Sequence, residues 1–231
     1  MTAGNTREKI DDVRDWGNIF TGNTGYSIAK ACAEVAEVDL LTSNEHHLSE
    51  IHAIDDHRLH ASGFRSHAEL RGALSALLAR QTYDAILMTA AVADYSPQRV
   101  YAVESREPRG QVEHWIVRNV QAGKVKSVHR EIAILGTQTE KIVDLFRTEW
   151  KHAGLLVKFK LEVGISKDEL IRIGQASRKS SGADYLVANT LEMVHGAEAG
   201  AFLLSGKGDE WVPRDHLSQR MRELLTTGSA A

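Results

Sequence analysis

The sequence predicts an α/β fold: a doubly wound, Rossmann-like, mostly parallel sheet with helices on both faces and a small C-terminal hairpin. Three observations carry this expectation. Short apolar runs of strand length alternate with longer segments of helical periodicity. Two capping boxes, Ser66-x-x-Glu69 and Ser166-x-x-Glu169, open two of the helices. Only three prolines occur in 231 residues and no low-complexity tract breaks the chain, so one domain spanning 1–231 is expected.

The elements follow in order. Ile28, Ala29, Ala31, Cys32, Val35 and Ala36 recur at helical spacing, and Val38–Leu41 reads as a short strand. The first capping box opens a helix running to about Arg80, followed by the apolar run Ala85–Thr89, the pattern of a buried parallel strand. A helix around Glu140–Trp150 leads into a strand at Leu155–Phe159. The second capping box starts a helix that stops near Gly182, a C′ glycine, and Tyr185–Ala188 is the next strand. Ala201–Leu204 and the segment after Lys207-Gly208-Asp209 read as a hairpin, and Asp215 as the cap of the closing helix. From Pro97 to Gly123 the chain reads as a long, polar, irregular stretch, a flap or an oligomer arm.

Composition narrows the function classes. Apolar content of 42%, charged content of 26% and a net charge of −3 describe an ordinary globular protein with no basic block for nucleic acid. No apolar run reaches the length of a membrane span and no signal-peptide pattern opens the chain, so a cytoplasmic protein without a membrane partner is expected. The single Cys32 leaves no intrachain disulfide and, on an apolar helix face, reads as core packing.

The chemistry-bearing segment is Thr2–Tyr26: two small-residue loops joined by a charged segment, the second running into a helix. Gly22 and Gly25 stand at that helix N-terminus, where unpaired N–H groups and the dipole favour an anion. A turn glycine is the ordinary alternative from local sequence alone.

This segment resembles phosphopantothenoylcysteine synthetase, the ligase of coenzyme A synthesis. Its pattern of T-[AS]-G-G-T-R-E-x-[IL]-D-x-V-R, an Asn, then S-S-G-x-x-G appears here as Thr2-Ala3-Gly4-Asn5-Thr6-Arg7-Glu8, Ile10-Asp11, Val13-Arg14, Asn18 and Thr21-Gly22-Asn23-Thr24-Gly25. Four further blocks follow in the same order: Ala90-Ala91-Val92-Ala93-Asp94-Tyr95, Lys124-Val125-Lys126-Ser127, Phe159-Lys160-Leu161-Glu162 and Val187-Ala188-Asn189.

The resemblance implies that 4′-phosphopantothenate is joined to cysteine through an acyl-nucleotidylate formed from CTP or ATP. The substrate carboxylate attacks the α-phosphate and releases pyrophosphate; the cysteine amine then attacks the acyl carbon. No protein nucleophile is required, and positioning and charge stabilisation carry the catalysis. Asn18 is implied as donor to the activated acyl group and Lys124 as the cation at the α-phosphate, with Lys126 its rival. Gly4, Ala91, Asp94, Phe159 and Glu162 are implied for the nucleotide, Asp94 also for Mg²⁺ on the triphosphate. Gly22, Gly25 and Asn189 are implied for phosphopantothenate. A homodimer or larger homo-oligomer is expected from the same resemblance. The flavin-dependent decarboxylase often fused to such ligases is absent from this sequence, so no flavin is expected. The Phe159–Glu162 block reads closer to the ATP-using branch, while Ala90–Asp94 fits both.

Several features depart from the pattern. Asn5 replaces a Gly or Pro, and Asn23 stands where Lys is frequent. Ser180 and Ser181 stand near a common Lys position, with Arg178 and Lys179 just upstream as shifted sources of phosphate-neutralising charge. The strand that the family places before its first loop is expected upstream of Met1. Tyr26-x-x-x-Lys30 matches a short-chain dehydrogenase pair but lies too early and lacks G-x-G-x-x-G, which disfavours a nicotinamide-dependent oxidoreductase. The histidines at 46, 47, 52, 57 and 60 lack metal-ligand spacing and read as solvated loop residues. A nucleotide-binding homologue without catalysis is the remaining alternative.

Overall fold

The structure, a computed structural model, describes residues 1–54, 56–194, 196 and 199–227. Thr2–Ala3 form β1, and the charged segment after it folds into an antiparallel pair, β2 (Arg7–Lys9) and β3 (Asp15–Gly17). Then come α1 (Asn23–Ala33), β4 (Val38–Thr42), α2 (Glu45–Ile54) and β5 (Leu59–Gly63). The Ser66 hydroxyl accepts from Glu69 N at 3.2 Å and opens α3 (His67–Arg80), which leads to β6 (Ala85–Met88). Three strands follow, β7 (Tyr95–Arg109), β8 (Val112–Asn119) and β9 (Ile132–Gln138), then α4 (Ile142–Thr148) and β10 (Leu155–Glu162). Ser166 caps α5 (Lys167–Ser180) in the same way, at 3.2 Å from Glu169 N, and β11 (Tyr185–Thr190) follows. The chain closes with β12 (Gly200–Ser205), β13 (Gly208–Pro213) and α6 (Leu217–Thr227).

The main sheet has eight strands in the order β13-β12-β11-β10-β6-β1-β4-β5. β5, β4, β1, β6, β10 and β11 are parallel, and β12 and β13 are antiparallel to their neighbours. The chain leaves β1 toward β4 and β5, then returns to lay β6, β10 and β11 on the other side. The switch point therefore lies at β1, where an open α/β sheet binds its ligands.

The apolar runs predicted as strands are buried on both faces because successive side chains point opposite ways. Leu40, Leu87, Val157 and Val187 pack with Ile28, Cys32, Met221 and Leu224 of α1 and α6. Their neighbours Leu41, Ile86 and Leu156 pack on the other face with Leu70 and Leu74 of α3 and Phe146 of α4, and Leu186 packs with Leu170 of α5. Each such buried side chain contributes about 1.5–3 kcal/mol of transfer free energy.

The structure corrects three expectations. The stretch 97–123 is not irregular: β7 pairs antiparallel with both β8 and β9 in a separate three-stranded sheet. Its polar residues face solvent on both sides of a projecting ribbon, so they carry no alternating apolar signal. The two-residue β1 holds the central position of the sheet, with Thr2 opposite Leu41 and Met88. Asp215 lies inside a single 3-10 turn, Arg214–His216, that precedes α6, so it does not stand as the helix cap. The histidines belong to α2 and β5 and their flanks rather than to a loop, and His47 is buried. Among the described residues no group of three His, Cys, Asp or Glu side chains is arranged to hold a metal.

Lys158 of β10 is buried, and among the described residues no carboxylate forms an ion pair with it. Its Nζ donates to Ser177 O at 3.3 Å, Ser177 Oγ at 3.1 Å and Ser181 Oγ at 3.2 Å. These oxygens belong to the C-terminal end of α5, where the dipole favours a cation. Burial pushes the Lys158 pKa below the ordinary value of 10.5, opposed by Asp144. The unfolded chain thus holds this proton more tightly than the folded one. The group's contribution to stability therefore improves as pH rises from the lowered value toward 10.5. Lys158→Met should lack that alkaline gain. Urea denaturation of both proteins at about pH 8 and about pH 10 measures it, and equal pH slopes would refute the assignment.

Candidate active site

A cleft of about 480 Å³ opens at the carboxyl ends of the central strands. Gly4 after β1, Thr89–Ala91 after β6, Phe159–Leu161 of β10 and Asn189 of β11 line it. The loop 19–22 and the first turn of α1 form one wall, and Leu191, Met193, Val194 and Arg214 form another.

The α1 wall depends on its glycines. Gly22, at φ +83°, is the N-cap, and no side chain caps the helix. A Cβ on Gly22 would lie 2.1 Å from Gly4 N, and one on Gly25 would lie 2.1 Å from Thr89 Oγ1. Both glycines are therefore needed for packing, and the close approach sets the first turn of α1 at the cleft. The strand ends are tied from beneath, since Thr2 Oγ1 accepts from Thr89 N at 3.1 Å and Ala90 N at 3.0 Å, while the Thr89 hydroxyl donates to Thr2 O.

Asn18 does not line the cleft but adjoins it. Its Nδ2 donates to Ala91 O at 3.3 Å, and its own carbonyl accepts from Asn5 Nδ2. Asn5 is buried and fastened in turn, with its N–H donating to Ser43 Oγ at 2.8 Å and its Oδ1 accepting from that hydroxyl at 3.3 Å. The departure at Asn5 thus supports the loop that carries Asn18.

Lys124 and Lys126 are exposed, and neither lines the cleft. The β2–β3 turn grips the chain on either side of Lys124. Asp12 N donates to Gly123 O at 2.9 Å, Val125 N to Asp11 Oδ2 at 3.1 Å, and Arg14 Nη2 to Val125 O at 2.7 Å. The Arg14 guanidinium holds the Asp11 carboxyl well below the usual carboxylate range, helped by the N–H groups of Val13 and Val125 against the cost of burial. A depressed carboxyl pKa stabilises the fold above the ordinary carboxylate pKa, and that contribution is lost only as pH falls through the lowered value.

The remaining expected residues separate. Gly4, Gly22, Gly25, Ala91, Phe159 and Asn189 share the cleft, whereas Asp94 and Glu162 do not line it. Asp94 is exposed, and its main-chain oxygen accepts from Thr139 N at 2.9 Å. Glu162 pairs with Lys160 Nζ at 2.8 Å, and Lys160 is a lining residue. Arg178 and Lys179 lie at the C-terminal end of α5, which joins the start of β11. They therefore stand at the opposite end of the sheet from the cleft, and Arg178 bonds Ala183 O at 3.1 Å. This excludes them as a shifted source of phosphate-neutralising charge. Tyr26 is core, stacked on His47 at 4.3 Å with Lys30 Nζ 4.4 Å above its ring.

Thr89, Lys160 and Arg214 were missed as lining residues. Lys160 sits inside a recognised block, but alternation along β10 places it on the opposite face from Phe159, and three consecutive residues line the cleft at this strand end. Arg214 arrives by a long-range return of the C-terminal hairpin, and no local pattern marks it.

A parallel sheet with a glycine-bounded helix N-terminus at its switch point defines the doubly wound, mononucleotide-binding class. Residues 1–111 match the family described as DNA/pantothenate metabolism flavoprotein C-terminal domain. The coenzyme A biosynthesis bifunctional protein CoaBC of Thermococcus kodakarensis is 29% identical over 208 residues, 90% of this chain and 44% of that protein. The chain thus spans less than half the length of this curated relative, to which it is similar along 90% of its own length. Among solved structures, the DNA/pantothenate metabolism flavoprotein from Streptococcus pneumoniae superposes with a TM-score of 0.78 at 22% identity, covering 98% of this chain and 96% of that one. A Cab2 mutant in complex with phosphopantothenate-cysteine superposes at 0.69 with 14% identity, covering 99% and 85%. The expected fold is borne out by these likenesses.

Asp11→Asn should loosen the segment around Lys124. The melting temperature should fall as the carboxylate's stabilisation is lost, and trypsin cleavage after Lys124 and Lys126, measured well below that temperature, should accelerate by about tenfold. An unaltered cleavage rate would mean that the β2–β3 turn does not hold this segment.

Proposed function

We propose that this chain joins 4′-phosphopantothenate to cysteine, with CTP or ATP as co-substrate, as a step of coenzyme A biosynthesis. One observation carries the reading: Gly4, Gly22, Gly25, Ala91, Phe159 and Asn189, drawn from four separate sequence blocks, border a single cleft at the sheet's switch point. The relationship to CoaBC proteins and the phosphopantothenate-cysteine bound to the Cab2 mutant support the same reaction.

In the first step a carboxylate oxygen of phosphopantothenate forms a bond to the α-phosphorus, and the bond to pyrophosphate breaks. In the second the cysteine amine attacks the acyl carbon, the nucleoside monophosphate leaves, and the nitrogen loses a proton to complete the amide. The amides at the α1 N-terminus hold the phosphate of phosphopantothenate through Gly22 and Gly25, with Asn189 across the cleft. Asn18, beside Ala91, donates to the activated acyl group with the second proton of its amide. Lys124 reaches the cleft from its latched segment and offsets charge on the α-phosphate. Phe159 and Gly4 border the base, and Glu162 orients Lys160 toward the nucleotide phosphates.

Among the described residues Asp94 belongs to no group of three metal-ligating side chains, which fits Mg²⁺ carried on a triphosphate rather than a resident metal site. Bound there, the ion would neutralise phosphate charge. We assign residues 97–123 to a homodimerisation arm within a single domain, because Val112, Trp115, Ile116 and Leu135 of the projecting sheet are exposed apolar side chains. No helix among the described residues is long and apolar enough to cross a membrane, and a cytoplasmic setting suits the substrates.

The test is pyrophosphate release assayed with CTP and ATP side by side, each with and without phosphopantothenate and cysteine. Release that depends on phosphopantothenate is the expected result, and none with either nucleotide would sink the reading. Asn18→Asp and Lys124→Gln should each lower kcat by about a hundredfold, the scale of losing one stabilising donor, with melting temperatures little changed. Wild-type rates in both would refute these two assignments.

A further inference from the structure

His47 is 2% exposed, although it stands directly behind the anion-facing wall of the cleft. Its Nδ1 lies 3.3 Å from Thr42 Oγ1, and its Nε2 lies 3.0 Å from Asn23 Oδ1 and 3.3 Å from Asn44 Nδ2. Thr42 is fully buried, and its hydroxyl oxygen accepts from Asn44 N at 3.2 Å. The hydroxyl proton needs an acceptor of its own, and His47 Nδ1 is within reach of it. A neutral ring that accepts at Nδ1 carries its proton on Nε2. Nε2–H then donates to Asn23 Oδ1, the shorter of its two contacts. Asn44 Nδ2 donates instead to Thr21 O at 3.0 Å.

Burial pushes the His47 pKa below its ordinary value. Glu50 on α2 opposes this, while His46 on α2 and Lys30 on α1 add to it. The ring is thus neutral at physiological pH, as this hydrogen-bond pattern requires. The network holds the loop at two points, Thr21 through its carbonyl and Asn23 through its side-chain oxygen. Asn23 lines the cleft, and with Oδ1 held from behind its Nδ2 is left for the cleft side. Among the described residues Nδ2 donates to no protein group.

We propose that Asn23 is an uncharged, direct ligand to a phosphate oxygen of the substrate, and that His47 is the positioning residue that aims it. The inference rests on the ligase reading of the cleft. It assigns the phosphate end of that cleft a side-chain donor in addition to the backbone amides of α1. A neutral amide held by a neutral imidazole contributes direction rather than charge.

The experiment compares Asn23→Ala, His47→Phe, His47→Gln and the double variant Asn23→Ala/His47→Phe with wild type. KM for 4′-phosphopantothenate, KM for the nucleotide, kcat and melting temperature are measured for each. Asn23→Ala and His47→Phe should each raise the phosphopantothenate KM about tenfold, with kcat held within about threefold and the nucleotide KM unchanged. The double variant should be no worse than Asn23→Ala, because both remove the same interaction. His47→Gln retains a side-chain N–H and should recover most of the loss. An unchanged phosphopantothenate KM in Asn23→Ala, or additive losses in the double variant, overturns the proposal. If His47→Phe fails to fold, Asn23→Ala and His47→Gln still decide it. If wild type releases no pyrophosphate, the ligase reading fails on its own, and calorimetry with inorganic phosphate then decides this proposal. Weaker phosphate binding by Asn23→Ala supports it, and equal binding, or none by wild type, overturns it.

Discussion

The contact on which the rest of the structure depends is the approach of the α1 N-terminus to the ends of β1 and β6. Gly22 lies against the backbone of Gly4 and Gly25 against Thr89, with no room for a Cβ at either place. A side chain there would push the helix off the sheet by more than an ångström. The amides of its first turn would then no longer face the cleft. The same approach lets Ile28, Ala29 and Cys32 reach the sheet, so burial of the largest core cluster and the placing of the first turn of α1 at the cleft share one cause.

A second constraint is imposed from the other side of the loop. The β2–β3 pair inserts Asp11 as an acceptor for main-chain groups of its own turn and of Val125, and Arg14 closes the pair with the Val125 carbonyl. A buried carboxylate is tolerable because it is met by a guanidinium and three N–H groups. The segment bearing Lys124 is therefore anchored at its base while the lysine itself stays in solvent.

The two asparagines that depart from the family pattern meet the same structural neighbour. Ser43 takes both the N–H and the Oδ1 of Asn5, while Thr42, Asn44 and His47 position Asn23 and Thr21. The junction between β4 and α2 thus supports both loops of the cleft wall. Substitutions that look like losses in an aligned motif are compensated by residues some 20 to 40 positions away.

By itself the sequence determined the order and type of most elements, the two helix starts at Ser66 and Ser166, the end at Gly182, and the glycine-rich segment that faces the cleft. These are short-range properties: a capping hydroxyl, a left-handed glycine and alternating burial all act within a few residues. Tertiary structure alone decided that residues 95–119 form a ribbon paired with Ile132–Gln138, because only Val100 and Ala102 at its base are buried and its outer part is exposed on both faces. It alone moved His47 from an expected loop into the core and brought Lys160 and Arg214 to the cleft. It also set Lys124, Asp94 and Glu162 outside the cleft lining, although their motifs grouped them with it. Each of these outcomes depends on contacts between residues far apart in the chain, where burial and hydrogen-bond partners, not local pattern, settle which side chain faces water.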